Sequence, residues 1–378
     1  MSATPRRILQ KLQQRKENNS LRTLSPPSEG VDFYANDYLG FSKNEKIYQR
    51  SLDFLEEHQL LQNNSTGSRL ISGNFKIHEA IEAQIAAFHH SENAILFNSG
   101  YDANVGFFSS IPQRGDVVFY DELIHASIRD GLQMGLAKSY KFKHNDLEDL
   151  QAKVEKLTIS GEVYVVTESI FSMDGDHPDL PALVKFCNEK NIFLVVDEAH
   201  ALGVFGETGE GLLQHLNLHH KVFARIVTFG KGLGAHGAAI LGSETLKEFI
   251  INFTRSFIYT TAIAPHSVAT ISSAYQELVH TSAIKKLQQN ITYFQQQVED
   301  LDLKDAFIAS DSAIQSCIIP GNEQVKAIAE KLQQQYYLVK PILSPTVAKG
   351  EERLRFCLHS YNLKEEIFSV LQCLKREL

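Results

Sequence analysis

Ile192-Phe193-Leu194-Val195-Val196-Asp197-Glu198-Ala199-His200 is the stretch on which the reading of this chain turns. Five apolar residues ending in a carboxylate read as a strand buried on both faces of a sheet. Similar runs stand on either side, at Ala94–Phe97, Val117–Tyr120, Val163–Thr167, Ile226–Phe229 and Ala238–Leu241. Helical patterns separate them, at Ile77–Phe88, Leu147–Leu157, Leu180–Lys190 and Glu244–Phe253. This alternation predicts an α/β fold: a large, mainly parallel sheet with helices on both faces. Such sheets carry their functional groups in loops beyond the carboxyl ends of the strands.

After Pro265 the pattern changes. One long helical pattern, about 266–301, precedes a short α/β set at Ile314–Ile319, Val325–Tyr337, Leu354–Leu358 and a last helix from Lys364. The expected division is an N-terminal helix and arm (1–45), a large domain (46–265) and a smaller C-terminal α/β domain (266–378) that begins with a long linking helix. A length of 378 residues is more than the ~100–150 of one domain and agrees with that division.

The balance of 37 Lys and Arg against 45 Asp and Glu, net −8, excludes a broad basic surface for nucleic acid. Cys187, Cys317, Cys357 and Cys373 are scattered, with no CxxC pair, so neither a disulfide framework nor a structural metal is expected. The longest uncharged stretch, Ser256 to Gln276, is too rich in Ser and Thr to span a membrane. With no apolar leader at the start, the expected location is the cytoplasm.

Two strand ends carry the chemistry. Asp197 closes one buried run, where a carboxylate is costly without a cation or donors; alone it reads equally well as a cap for the next turn. Lys231 lies between Gly230 and Gly232 just beyond Ile226–Phe229. A lysine is usually a solvated surface charge, but one in a glycine-rich loop at a strand end is a candidate amine nucleophile. Together the pair suits pyridoxal 5'-phosphate, with the amine bonding the aldehyde and the carboxylate facing the pyridine nitrogen. Asn98-Ser99-Gly100-Tyr101 opens a helix after a strand, where backbone N–H groups can cradle a phosphate. His125, at another strand-to-helix junction, is placed to stack on a flat ring or simply to cap its helix. Ser172 offers a hydroxyl at a turn. Arg353 and Arg355 alternate on an expected strand, where an arginine can fork onto a carboxylate.

These segments resemble the α-oxoamine synthases, a pyridoxal-phosphate family with the fold type I aminotransferase architecture. The motifs run in order: Asn36-Asp37-Tyr38-Leu39-Gly40, Gly67 to Gly73, His125-Ala126-Ser127, Phe171 to Gly175, Asp197 to His200, Thr228 to Gly232, and Pro345 through Arg355. The resemblance implies a decarboxylative condensation of a small amino acid with an acyl-CoA or acyl-carrier thioester. It assigns Lys231, His125, Asp197 and His200 to catalysis. The cofactor residues it implies are Gly100, Tyr101, Ser172, Thr228, Thr260 and Thr261 with those four. It also implies substrate contacts at Arg355, Asn36, His125, Thr346 and Arg22. A homodimer with shared sites is expected, with the Gly67-Ser68-Arg69 loop and Thr260-Thr261 crossing between chains.

Within the family, the short stretch before the first helix, Leu21-Arg22 and the nine-residue spacing of Thr346 to Arg355 favour the branch that joins alanine to a pimeloyl thioester. Branches that use glycine or serine share every cofactor residue and stay open. Three departures stand out: Ala348 where many members have Pro, Ala264-Pro265 in place of Pro-Pro, and Asn362 where His is common. Asp197-Glu198-Ala199-His200 also spells a helicase box, the mark of a nucleic-acid-dependent NTPase. That reading needs an upstream GxxxxGK[ST] loop, whereas Gly230-Lys231 lies downstream and is followed by Gly232.

Overall fold

A computed structural model describes residues 4–24 and 29–378. They fall into two compact units. The larger comprises Asn36–Ser172 and Asp176–Lys286; the smaller combines the described residues up to Ala35 with Met173–Gly175 and Leu287–Leu378.

The large unit is built on seven strands: β1 (Asn93–Phe97), β2 (Val117–Asp121), β3 (Lys138–Phe142), β4 (Val163–Glu168), β5 (Phe193–Asp197), β6 (Ala224–Thr228) and β7 (Ala238–Gly242). Their order in the sheet is β1-β7-β6-β5-β4-β2-β3. β7 runs antiparallel to both β1 and β6, and the remaining neighbours are parallel. Strand alternation sends Ile95, Val118, Val166, Val195, Ile226 and Ile240 into one core with Phe107, Phe108, Ile128 and Ile250. That core joins the sheet to the helices Gly100–Ser110, Ala126–Met134 and Glu244–Phe253. The intervening residues Leu96, Phe119, Val165, Leu194 and Val227 are equally buried, as both faces of a covered sheet require.

β3 carries no apolar run, because it is an edge strand open to water: Lys138, Ser139, Tyr140 and Lys141 are exposed and only Phe142 is buried, whereas β1 at the other edge is covered by the helix Lys76–Phe88. The expected long helix after Pro265 is two helices, Pro265–Leu278 and Ala283–Asp300. The break needs neither Gly nor Pro; Thr281 Oγ1 accepts from Ala283 N at 3.1 Å and starts the second helix afresh. Pro265–Leu278 packs on the helices Glu45–Glu57 and Lys76–Phe88 and so belongs with the large unit, although its sequence pattern runs into the C-terminal part.

In the small unit, β8 (Ile314–Ile318), β9 (Lys340–Ile342) and β10 (Arg353–Cys357) form an antiparallel sheet in the order β9-β10-β8. Phe33, Phe294, Phe307 and Phe356 pack ring to ring beside it, with centroids 5.6–6.3 Å apart along the cluster. Val31–Asp32 pairs in parallel with Tyr337–Leu338, which ties the N-terminal arm to this unit. Met173–Gly175 is anchored here too: Ser316 Oγ donates to Met173 O at 2.6 Å and Ser310 Oγ to Gly175 O at 2.9 Å.

Candidate active site

The carboxyl ends of β4, β5 and β6 supply the chemistry of the large unit. Asp197 ends β5 and is buried. Its Oδ2 accepts from Asn104 Nδ2 at 2.8 Å and its Oδ1 from Ala199 N at 2.9 Å. Neutral donors thus hold the carboxylate, and its charge stays available to a cationic partner. Lys231 sits in the reversal between β6 and β7, closed by Ala235 N donating to Phe229 O and Gly234 N to Lys231 O, each at 2.9 Å. Gly234 takes φ +58°, and a Cβ there would lie 2.3 Å from Ser42 N, so the loop that holds the lysine needs glycine at that point.

His125 caps the helix Ala126–Met134. Its Nδ1 lies 2.7 Å from Ser127 Oγ, and Ser127 Oγ accepts from Asn104 Nδ2 at 3.0 Å. Asn104 therefore links the imidazole to Asp197. Burial lowers the His125 pKa, the charge of Asp197 works against that, and Lys231 lowers it further. Glu168, at the end of β4, pairs in register with Asp197. Burial first, and then the charge of Asp197, push its carboxyl up to about 8 against the opposing pull of Lys231. His200 Nδ1 lies 2.7 Å from the hydroxyl oxygen of Tyr38, and the Tyr38 O–H donates to Asn36 Oδ1 at 3.3 Å. Ser172 follows Phe171, whose N–H closes a turn onto Asp176 O at 2.9 Å.

The segment expected to cradle a phosphate lies at the start of the helix Gly100–Ser110. Ser99 Oγ accepts from Asp102 N at 3.1 Å and leaves the first N–H groups of the helix to an anion. A Cβ on Gly100 would meet Thr228 Oγ1 at 2.4 Å, so glycine is what lets helix and strand close to this distance. Tyr101 is half exposed and its hydroxyl donates to Asp130 at 2.6 Å. Asn98 Nδ2 reaches Thr260 Oγ1 at 3.1 Å and Thr261 O at 2.9 Å, which fixes the segment expected to cross between subunits. The other expected crossing point lies beside it: Ala262 N donates to Gly67 O at 2.9 Å. An amine, a buried acid held by neutral donors, an imidazole and a helix start closed by glycine fit pyridoxal phosphate.

The small unit holds the remaining expected substrate residues. Arg22 donates to Thr346 Oγ1 at 3.2 Å, so two positions 324 residues apart meet. Arg355 is buried on β10, with Nη1 donating to Cys357 Sγ at 2.7 Å. Arg353 pairs with buried Asp174 and lies 3.7 Å from Glu351. Asn362, the departure from histidine, is built into the unit: its Oδ1 accepts from His359 N at 2.8 Å and its Nδ2 donates to Asp32 O at 3.0 Å.

Sequence reasoning missed Glu168, Asn104, Ser127 and Tyr38 as parts of the site. Tyr38 and Ser127 lie inside the motifs Asn36–Gly40 and His125–Ser127 beside more reactive groups, and Glu168 directly follows the apolar run Val163–Thr167. Asn104 sits mid-helix with no signal beyond a polar residue on an apolar face.

The sequence profile described as aminotransferase class I and II matches residues 28–371. The chain belongs to this family. Among curated members, 8-amino-7-oxononanoate synthase of Emericella nidulans is 40% identical over 365 residues, 92% of this chain and 89% of that one. Among solved structures, Sphingomonas wittichii serine palmitoyltransferase superposes with a TM-score of 0.85 at 27% identity, over 92% and 87% of the two chains. The 8-amino-7-oxononanoate synthase of Francisella tularensis gives 0.78 at 28% identity, over 92% and 97%. The likeness to α-oxoamine synthases drawn from the motifs is borne out, and so is the fold type I architecture. Among the described residues, no helix is long and apolar enough to cross a membrane.

Proposed function

We propose that this chain is a pyridoxal-phosphate-dependent acyltransferase that condenses L-alanine with a pimeloyl thioester to form 8-amino-7-oxononanoate, a step of biotin synthesis. The observation that carries this reading is the 40% identity to an 8-amino-7-oxononanoate synthase over nearly the whole chain, on a fold whose strand ends gather Lys231, Asp197 and His125. The likeness to serine palmitoyltransferase, at 27%, favours the same chemistry with a different amino acid and acyl chain.

Pyridoxal phosphate, when bound, supplies an electron sink for negative charge that develops at the amino acid's Cα. Lys231 would hold it through Nζ, and Asp197 would keep the proton on the pyridine nitrogen. His125 would cover the ring, and Ser172 and His200 would approach its phenolic oxygen. Gly100, Tyr101 and Thr228, with Thr260 and Thr261 of a second copy, would take the phosphate. Lys231 Nζ, once the amine of alanine has displaced it, would take the Cα proton, and Arg355 and Asn36 are the residues that the family resemblance assigns to the alanine carboxylate. Arg22 and Thr346 receive the far carboxylate of the pimeloyl group. A carbon–carbon bond would then form between Cα and the thioester carbonyl carbon as the carbon–sulfur bond breaks and the carrier thiolate leaves; the alanine carboxylate would depart as carbon dioxide, and the proton held on Lys231 would return to Cα. The chain works as a homodimer in the cytoplasm, a compartment that suits four buried cysteines held as thiols.

The test is a panel of amino acids against acyl thioesters, read by thiol release. Turnover of alanine with pimeloyl-CoA or pimeloyl-carrier protein, lost in Lys231→Ala, is the expected result. Turnover of glycine or serine without alanine would overturn the assignment in favour of glycine C-acetyltransferase or serine palmitoyltransferase chemistry.

A further inference from the structure

Glu168 is an acid at the end of β4 that the mechanism above leaves without a task. It is buried, and its Oε1 accepts from the backbone N–H of His125 at 2.6 Å, across 43 residues of sequence. The N–H of a helix-capping residue lies outside the helix's own hydrogen bonding and needs an acceptor from elsewhere. Ser127 secures the ring of His125, while Glu168 secures its backbone. The two contacts together leave the imidazole little freedom.

We propose that Glu168 is a positioning residue for this site: its carboxyl oxygen holds the His125 backbone and thereby sets where the imidazole meets the cofactor. The proposal rests on the pyridoxal-phosphate reading given above. A second role competes with it, in which Glu168 serves as a negative partner for Lys231. The two differ in what glutamine does. An acid beside Asp197, with its carboxyl pushed up to about 8, is mainly neutral at pH 7 and accepts through a carbonyl-like oxygen. Glutamine supplies the same oxygen at the same reach, whereas alanine removes it and aspartate withdraws it by one methylene.

The test compares Glu168→Gln, Glu168→Ala and Glu168→Asp by two readouts. In cofactor-free protein, carbethoxylation of His125 is followed by mass spectrometry; in protein loaded with pyridoxal phosphate, affinity and the visible circular dichroism of the cofactor are measured. Losing the acceptor for a buried N–H should speed His125 modification about tenfold in Glu168→Ala and weaken the cofactor by a similar factor, with a smaller change in Glu168→Asp. Glu168→Gln should stay within about twofold of the parent in both, since the hydrogen bond survives. Unchanged His125 reactivity in the alanine and aspartate variants would overturn the proposal, and so would a glutamine variant as damaged as the alanine one. If Glu168→Ala does not fold, the aspartate and glutamine variants still decide it. Failure of the parent protein to take up pyridoxal phosphate would instead overturn the functional reading, and the His125 readout would still report on the positioning contact.

Discussion

Replacing Asn104 by alanine tests whether one buried amide joins the acid and the imidazole of this site. The amide Nδ2 makes two bonds, to Asp197 Oδ2 at 2.8 Å and to Ser127 Oγ at 3.0 Å. The first goes to an ionised acceptor and contributes about 1.5–3 kcal/mol; the second is neutral and contributes about 1 kcal/mol. Asn104 Oδ1 is buried with no partner among the described residues. Removing it returns about 1 kcal/mol of desolvation cost. The net loss is then about 2 kcal/mol, which speeds exchange from the local opened state about thirtyfold. Hydrogen exchange by mass spectrometry on peptides from Gly100–Ser110 and Ala126–Met134 measures this in cofactor-free protein. Asn104→Asp should cost more, because it sets a second carboxylate against Asp197. Exchange unchanged within about threefold, or an aspartate no worse than alanine, would refute the reasoning.

His144 is held between Asp121 at 2.9 Å and Asp176 at 2.8 Å. Burial opposes its charge, but those two hydrogen-bonded carboxylates outweigh it and raise the pKa from 6.5 to about 9. The contribution, about 3 kcal/mol, is fully present below about pH 6.5 and is lost as pH rises through about 9. Thermal melts from pH 6 to 9.5 should show this fall, flattened in His144→Gln. Arg225 is paired with Glu198 at 2.7 Å with both side chains buried. Arg225→Ala strands the carboxylate at a cost of about 3–5 kcal/mol, and adding Glu198→Gln should recover part of the soluble yield. Sedimentation should give a particle of twice the 42.5 kDa chain. Thr260→Ala/Thr261→Ala should weaken the cofactor without changing that mass, while an active monomer would refute the shared site.

The sheet was legible wherever burial on both faces forced an apolar run, as at Val163–Thr167 and Ile192–Val196. β3 was not, because this edge strand is held by backbone pairing with β2 while four of its five side chains face water. Lys231 and Asp197 were legible because a charge at the end of an apolar run is conspicuous. Asn104 and Tyr38 were not: each acts through a partner distant in the chain, Asp197 or His200, and only the fold brings that partner near. The meeting of Arg22 with Thr346 is intermediate. Each position could be named from its motif, but their contact could not.

The make-up of the small unit governs how the chain can be cut. Its pieces come from the two ends and from the three residues Met173–Gly175, which lie between long segments of the large unit. A fragment that begins at Leu287 would lack the strand Val31–Asp32 that pairs with Tyr337–Leu338 and the Asp174 that neutralises Arg353. Such a fragment would not be a domain in the sense of an independently heritable block. A protease nick near 286 would leave both products attached, and a fusion or graft of this unit would have to carry three separate pieces of chain.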